Sequence, residues 1–251
     1  MALRLSICFF TLCLLTLISS YSYGTQLFLV NNCSESIWPG ILAHQGYATP
    51  NNGGFHLSRA QQVLIETPQH WSGRIWGRRG CSFDNNGVGS CQTGDCGGRL
   101  ECRGAGGEPP ATLVQMTLGT LQNPVHYYDV SLVDGFNLPI SMVPVDYPCG
   151  GDHSCGTAAC EEDLNAACPA YLAIQQDNKV LGCQSDCLAT KAPEYCCTSV
   201  YSNTQNCKPS IAARVFKALC PRAYSYAYDD STSLNKCRAL RYVLTFCPSK
   251  A

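Results

Sequence analysis

Gly87-Val88-Gly89-Ser90-Cys91-Gln92-Thr93-Gly94-Asp95-Cys96-Gly97-Gly98, closing at Cys102, packs three cysteines into a glycine-rich stretch unsuited to any helix. The chain around it carries 19 cysteines in 251 residues. Thiols at this density make sense where they are oxidised, so the stretch predicts a secreted, covalently stapled protein.

The N-terminus agrees. Arg4 is the only charge before an apolar run over residues 5–18, too short to span a bilayer comfortably. Ser22-Tyr23-Gly24 then sets small residues at the −3 and −1 positions of a signal peptidase site, which predicts cleavage after Gly24. Removing Cys8 and Cys13 from the 19 cysteines leaves 17, an odd number, so one thiol is unpaired or pairs between molecules. Removing Arg4 takes the formal charge from −1 to −2. No later segment reads as membrane-spanning. Lys and Arg are scattered rather than clustered, which argues against a nucleic-acid partner. Only 14% of residues are charged, so uncharged polar groups cover much of the surface, as suits a partner such as carbohydrate.

Short alternating apolar runs predict strands over 25–30, 62–65 and 73–77, split by turn residues at 50–54 and Thr67-Pro68. Residues 79–110 have almost no periodicity and read as a small disulfide-held lobe. Strand patterning resumes over 111–145, including 127–133. Residues 149–220 hold ten of the cysteines, with little alternation. A helix is predicted at 182–189, with Cys183 and Cys187 on one face, and a short turn near Asp163. Tyr242, Leu244 and Phe246 alternate in a last strand before Cys247. The fold class is therefore mainly β. One domain over 25–251 has a sandwich assembled from about 25–78, 111–160 and 221–251. A small disulfide lobe fills about 79–110, and a larger lobe with a short helix fills about 161–220.

The 87–102 block resembles the signature of the thaumatin-like, or pathogenesis-related 5, family. So do Ala111-Thr112-Leu113, Asp129-Val130-Ser131-Leu132-Val133-Asp134-Gly135-Phe136-Asn137, Tyr195-Cys196-Cys197, and Cys220-Pro221-Arg222-Ala223-Tyr224-Ser225-Tyr226-Ala227-Tyr228-Asp229-Asp230. The likeness runs from about residue 25 to 248. It implies the pairs Cys33–Cys247, Cys81–Cys91, Cys96–Cys102, Cys155–Cys237, Cys160–Cys220, Cys168–Cys183, Cys187–Cys196 and Cys197–Cys207. Cys149 is left as an extra, unpaired thiol. Each disulfide adds about 2–5 kcal/mol, and the bridge closing the largest loop constrains the unfolded chain most.

Members of that family that act on fungal walls carry a cleft set of one arginine, one glutamate and three aspartates. Here the resemblance assigns Arg74, Asp129, Asp134 and Asp229, with Asp230 a neighbouring candidate, while Gln115 stands at the glutamate position. Arg74 can serve as counter-ion to the aspartates as well as substrate ligand. Glycoside hydrolysis usually needs two carboxyl groups, one delivering a proton to the leaving oxygen. An amide cannot do so, though it can hydrogen-bond a sugar hydroxyl from both ends. Loss of a general acid costs about 10²–10⁴ in rate. The expectation is a secreted, monomeric plant defence protein of the apoplast, antifungal, binding β-1,3-glucan without efficient hydrolysis.

A weak endo-β-1,3-glucanase with a displaced acid (Glu108, Glu161 or Glu162) is one alternative. A protein that inhibits or engages a microbial protein through its lobes is the other. Tyr127, Tyr128, Tyr224 and Tyr226 are offered as stacking faces for sugar rings, and His126 as a polar rim residue. No cofactor or metal is expected, since His44, His56, His70, His126 and His153 show no ligand spacing. Asn32-Cys33-Ser34 matches a glycosylation sequon whose middle residue is a disulfide cysteine. In one unbroken strand Asp129 and Asp134 would point to opposite faces, so a shared cleft requires a turn before Asp134.

Overall fold

Leu27, Leu29 and Asn31 are buried along the strand Gln26–Asn31 (β1) while their neighbours are not, the period-2 burial of a half-covered sheet. The computed structural model describes residues 24–147 and 155–249. Cys8, Cys13, Cys149 and the segment ahead of the expected cleavage site lie outside the described residues.

The chain continues through β2 (Trp38–Ala43), β3 (Gln62–Glu66), β4 (Ser72–Arg78), β5 (Ser82–Phe83) and β6 (Gly89–Ser90). Then come β7 (Leu113–Thr117), β8 (His126–Ser131), β9 (Ile140–Val145) and β10 (Ala158–Cys160). Last are β11 (Ala173–Gln176), β12 (Lys179–Cys183), β13 (Asn235–Cys237) and β14 (Arg241–Phe246). Two five-stranded sheets, ordered β10-β9-β14-β1-β3 and β13-β8-β7-β4-β2, share one apolar core. Tyr242, Leu244 and Phe246 face inward from the first sheet, and Ile75, Val114, Met116, Tyr128 and Val130 from the second. The fold class read from the sequence is therefore the one observed, a β-sandwich bearing two disulfide-rich lobes.

The first and last strands lie side by side in parallel, with Leu29 opposite Leu244. Cys33–Cys247 locks that pair across 214 residues. The other bridges are Cys81–Cys91, Cys96–Cys102, Cys155–Cys237, Cys160–Cys220, Cys168–Cys183, Cys187–Cys196 and Cys197–Cys207, the same pairs that the resemblance implies. In the sequon, the Asn32 amide donates to Cys247 O at 3.0 Å.

The larger lobe departs from expectation in two places. The helix predicted at 182–189 begins later, at Asp186, where the Ser185 hydroxyl accepts from Leu188 N at 3.1 Å and caps it. Gly182 and Cys183 belong instead to β12, paired with β11, so Cys183 and Cys187 do not share a helical face. The longest helix among the described residues, Ile211–Leu219, went unpredicted. Its signals are Pro209 followed by Ser210, whose hydroxyl caps Ala213 N, and the buried set Ala212, Ala213 and Phe216. The short turn near Asp163 is the 3-10 helix Leu164–Ala167, capped by the Asp163 carboxylate.

Arg78 has no exposed surface, yet among the described residues no carboxylate pairs with it. Its guanidinium donates to Trp38 O (2.9 Å), Arg99 O (2.7 Å), Leu100 O (2.7 Å) and Pro39 O (3.3 Å). Those acceptors come from β2 and from the small lobe, so one side chain clamps the lobe to the sandwich. Burial pulls its pKa down to about 10, partly countered by Asp95. Beside it, the Trp76 indole donates to Gly94 O at 2.8 Å. It lies between Gly40 and Gly107, where added Cβ atoms would come within 2.3 and 2.4 Å of the ring. Asn137, also fully buried, donates to Gly77 O and Thr93 Oγ1, accepts from Thr112 N, and offers its carbonyl to Asn165. It joins the sandwich to both lobes.

Replacing the guanidinium with an apolar chain of similar length would strand buried carbonyls on both sides of this junction. Arg78→Met is expected to cost about 3 kcal/mol or more. Denaturant unfolding without reductant checks it, and an unchanged midpoint would show that the clamp is dispensable.

Candidate functional site

Strand parity sorts the second sheet into two faces. Ile75, Val114, Tyr128 and Val130 point to the core, so Arg74, Gln115 and Asp129, one residue away on each strand, point outward. Register then aligns them, Arg74 opposite Gln115 and Gln115 opposite Asp129. Three of the residues assigned by resemblance thus form one row across three strands, with the amide between guanidinium and carboxyl.

On this outer face burial falls in steps. Trp76, Leu113 and Ser131, aligned one step towards the lobes, are buried, the first two in a cluster with Cys96, Cys102 and Ala111. The row of Arg74, Gln115 and Asp129 is next, with Arg74 and Gln115 half-exposed and Asp129 buried. The small lobe walls one end of it. A Cβ at Gly106 would stand 3.0 Å from Arg74 Nη2, so the small lobe comes close to the guanidinium at that end. No ion pair or hydrogen bond engages the Arg74 side chain among the described residues.

The larger lobe walls the other end. Tyr224 N donates to Val130 O, and Leu132 N donates to Tyr224 O, both at 2.8 Å, which docks residues 220–230 onto the end of β8 beside Asp129. The Tyr224 hydroxyl donates to Asp230 at 2.6 Å. Burial and that bond raise its pKa above the ordinary phenol range.

Asp129 is 8% exposed, and its Oδ2 is buried with no hydrogen-bond partner among the described residues. Burial, with the nearby Asp230 carboxylate second, pushes its carboxyl up from 3.8 to about 7. A buried carboxyl oxygen without a partner is uncommon in a folded protein.

Asp229 is placed differently. It accepts from Ser225 N and Oγ and from Thr232 Oγ1, each at 3.0 Å, and pairs with Lys217 Nζ at 3.0 Å. Its oxygens hold the loop together, while the exposed Asp230 next to it is the carboxylate that acts on Asp129. Asp134 follows a turn after β8 ends at Ser131, with Gly135 N donating to Leu132 O at 2.9 Å and Gly135 at φ +83°. The turn that a shared cleft requires is therefore present. Asp134 is half-buried, and its carbonyl accepts from Ala111 N at 3.0 Å.

Two aromatic assignments are corrected by parity. Tyr128 is fully buried on the core face, its hydroxyl donating to Gly156 O at 2.6 Å, and offers no ring to a ligand. His126 shares that parity and lies 3.1 Å from the Tyr242 hydroxyl, between the sheets rather than on the cleft rim. Burial lowers its pKa to about 4. Tyr127 is the one that faces outward, with Lys236 Nζ 5.6 Å from its ring centre. Tyr226 remains partly exposed. Of the substitute acids, Glu161 pairs with Arg222 at 2.7 Å, and Glu108 is exposed in the small lobe.

Sequence reasoning missed Lys217. From the helix Ile211–Leu219 it donates to Ala223 O (3.0 Å) and Ser233 Oγ (2.7 Å) besides pairing with Asp229, and so sets the loop that carries Tyr224 and Asp230. The helix itself was the missing signal. Among the described residues no group of His, Cys, Asp and Glu could hold a metal. Nor, among them, is any helix long and apolar enough to cross a membrane.

The Thaumatin family model matches residues 31–248. A thaumatin-like protein of Arabidopsis thaliana is 47% identical over 245 residues, covering 97% of this chain and 98% of that one. The pathogenesis-related thaumatin-like protein 3.5 of Cryptomeria japonica is 48% identical over 240 residues, covering 95% and 97%. Among solved structures, a family 64 laminaripentaose-producing β-1,3-glucanase from Paenibacillus barengoltzii is similar in fold. Its TM-score is 0.51 at 11% identity, over 92% of this chain and 78% of the other.

The folded Asp129 holds its proton up to about pH 7, against an ordinary 3.8, so its contribution is fully present below about pH 4 and is lost as pH rises towards 7. Asp129→Asn should flatten that slope and stabilise the protein at pH 8 by up to about 4 kcal/mol. Asp230→Asn should move the carboxyl titration of Asp129 downward in NMR. Titration of Asp129 near 4 in the unsubstituted protein would refute the desolvated site.

Proposed function

The chain belongs to the thaumatin family, and on that premise we propose that it is a secreted, antifungal defence protein whose outer-face cleft binds β-1,3-glucan without efficient hydrolysis. Its relatives include proteins named as pathogenesis-related, which supports the defence role. The disulfide framework suits work outside the cell, in the apoplast. The observation that carries the binding role is the row itself. Gln115 lies between a guanidinium without an ion pair and a carboxyl held neutral below about pH 7.

That arrangement recognises hydroxyl groups well. Gln115 both donates and accepts, Arg74 only donates, and protonated Asp129 donates once and still accepts. A neutral polysaccharide offers hydroxyls that do both. Catalysis asks for more, namely a carboxylic acid at the leaving oxygen and a second carboxylate across the bond. At the position that would carry the acid by resemblance there is an amide.

A second reading has one specific observation in its favour. Asp129 has the raised pKa of a general acid, and Asp230, exposed and close enough to influence it, supplies a second carboxylate. In that reading the chain is a weak endo-β-1,3-glucanase with Asp129 as proton donor.

Pull-down on insoluble β-1,3-glucan, paired with reducing-end release, separates the two. Binding without release by the native chain, and release gained by Gln115→Glu, is the expected result. Release by the native chain that disappears in Asp129→Asn would establish the glucanase instead. No binding by the native chain would end the glucan reading and direct the search to protein partners of the lobes.

A further inference from the structure

Sheet register lays a second polar row beside Arg74, Gln115 and Asp129 on the same outer face. Two residues along each strand lie Ser72 on β4, Thr117 on β7 and Tyr127 on β8, with Ser72 opposite Thr117 and Thr117 opposite Tyr127. Lys236 on β13 stands opposite Tyr127. His44, just past β2, completes the row by donating its backbone N–H to Ser72 O at 2.8 Å. With neighbouring strands about 4.8 Å apart, the five positions span about 19 Å across the sheet.

The row is open and already ordered. His44, Thr117 and Lys236 are exposed, Tyr127 is half-buried, and Ser72 is buried beneath its neighbours. The Ser72 hydroxyl lies 2.8 Å from Thr117 Oγ1 and 3.0 Å from His44 Nδ1, so both hydroxyls are orientated before any ligand arrives. At the far end the Lys236 ammonium, 5.6 Å from the Tyr127 ring centre, braces the ring by a cation–π contact. Polar side chains on the solvent side of a sheet are ordinary. Here they also align with the proposed sugar-binding row and place an aromatic ring at one end.

We infer that Thr117, Tyr127 and Lys236 form a second line of sugar subsites, taken up by oligosaccharides too long for the inner row alone. On this assignment Thr117 hydrogen-bonds a sugar hydroxyl, Tyr127 packs against a ring, and Lys236 donates to ring substituents at the end of the cleft. Ser72 and His44 act as positioning residues, through Thr117. The inference rests on the glucan reading above and adds the length of chain that the cleft prefers.

Calorimetric titration of the full chain with linear β-1,3-linked tri- and hexasaccharides tests it, using the native protein, Thr117→Val and Tyr127→Ala. Thr117→Val keeps shape and strand preference, which guards against loss of fold. The native chain should bind the hexasaccharide more tightly than the trisaccharide. Each substitution should weaken hexasaccharide binding about tenfold and leave the trisaccharide unchanged. Equal native affinity for both lengths, or variants that bind the hexasaccharide like the native chain, would overturn the second row while the glucan reading stands. Failure of the native chain to bind either sugar would overturn the glucan reading and the row with it.

Discussion

A guanidinium with no exposed surface must be met by acceptors in its own plane, because its desolvation is otherwise ruinous. Arg78 meets this demand with backbone carbonyls from β2 on one side and from the small lobe on the other. Neither body can shift without stranding a donor. The small lobe has little regular structure to hold it in place, only the two-stranded β5–β6 ladder and two disulfides. Those bridges close loops inside the lobe and do nothing to orient it. Orientation comes from Arg78, from the Trp76 indole between two glycines, and from Asn137, whose amide reaches Gly77 and Thr93 together. Because the lobe is seated there, Gly106 lies close to Arg74, at one end of the row on the outer face of the sheet.

The row of Arg74, Gln115 and Asp129 is thus a by-product of strand alternation, flanked by two seated lobes. Each core residue on β4, β7 and β8 forces its neighbour outward, and register decides which outward residues meet. A slip of one residue in β8 would exchange Asp129 for Tyr128 or Val130 on the floor and put a carboxyl in the core. Val130 and Tyr128 therefore fix the location of Asp129 as firmly as any contact that it makes itself. The larger lobe acts in the same indirect way. Lys217 binds Asp229, Asp229 binds Ser225 and Thr232, and the loop so formed presents Tyr224 and Asp230 to Asp129.

Much of this was legible in the sequence, unevenly. The disulfide-rich character and the β class follow from cysteine density and period-2 runs, which are local properties. The disulfide pairs were accessible only through resemblance, because pairing depends on how distant segments meet. Parity was legible beyond the Asp129–Asp134 pair: Tyr128 and Val130 alternate with Asp129, which already set His126 and Tyr128 on the core side and Tyr127 and Asp129 on the other. Helix Ile211–Leu219 was hidden among cysteine-rich segments in which local pattern is weak, and Lys217 was hidden with it. The choice between Asp229 and Asp230 could not be read from their identity. It depends on which carboxylate the loop consumes for its own closure.

An unpartnered, desolvated carboxyl is a burden on folding, and its persistence needs a reason. Were Asp129 structural, Lys217 or Arg74 would be expected on its oxygens, as Lys217 is on Asp229. Instead Lys217 is spent in the loop and Arg74 stays unpaired, two positions away in the row. Below about pH 7 the floor then carries one cation, one amide and one neutral acid, with negative charge set back on Asp230. Such a floor repels no neutral ligand, and it presents donors and acceptors at strand spacing. An added glutamate at Gln115 would be a second carboxyl next to one already pushed upward, and like charges so close cannot both ionise at neutral pH. The amide avoids that conflict. It lets Asp129 lie beside Gln115 without a shared proton, an arrangement that suits the binding role proposed above better than hydrolysis.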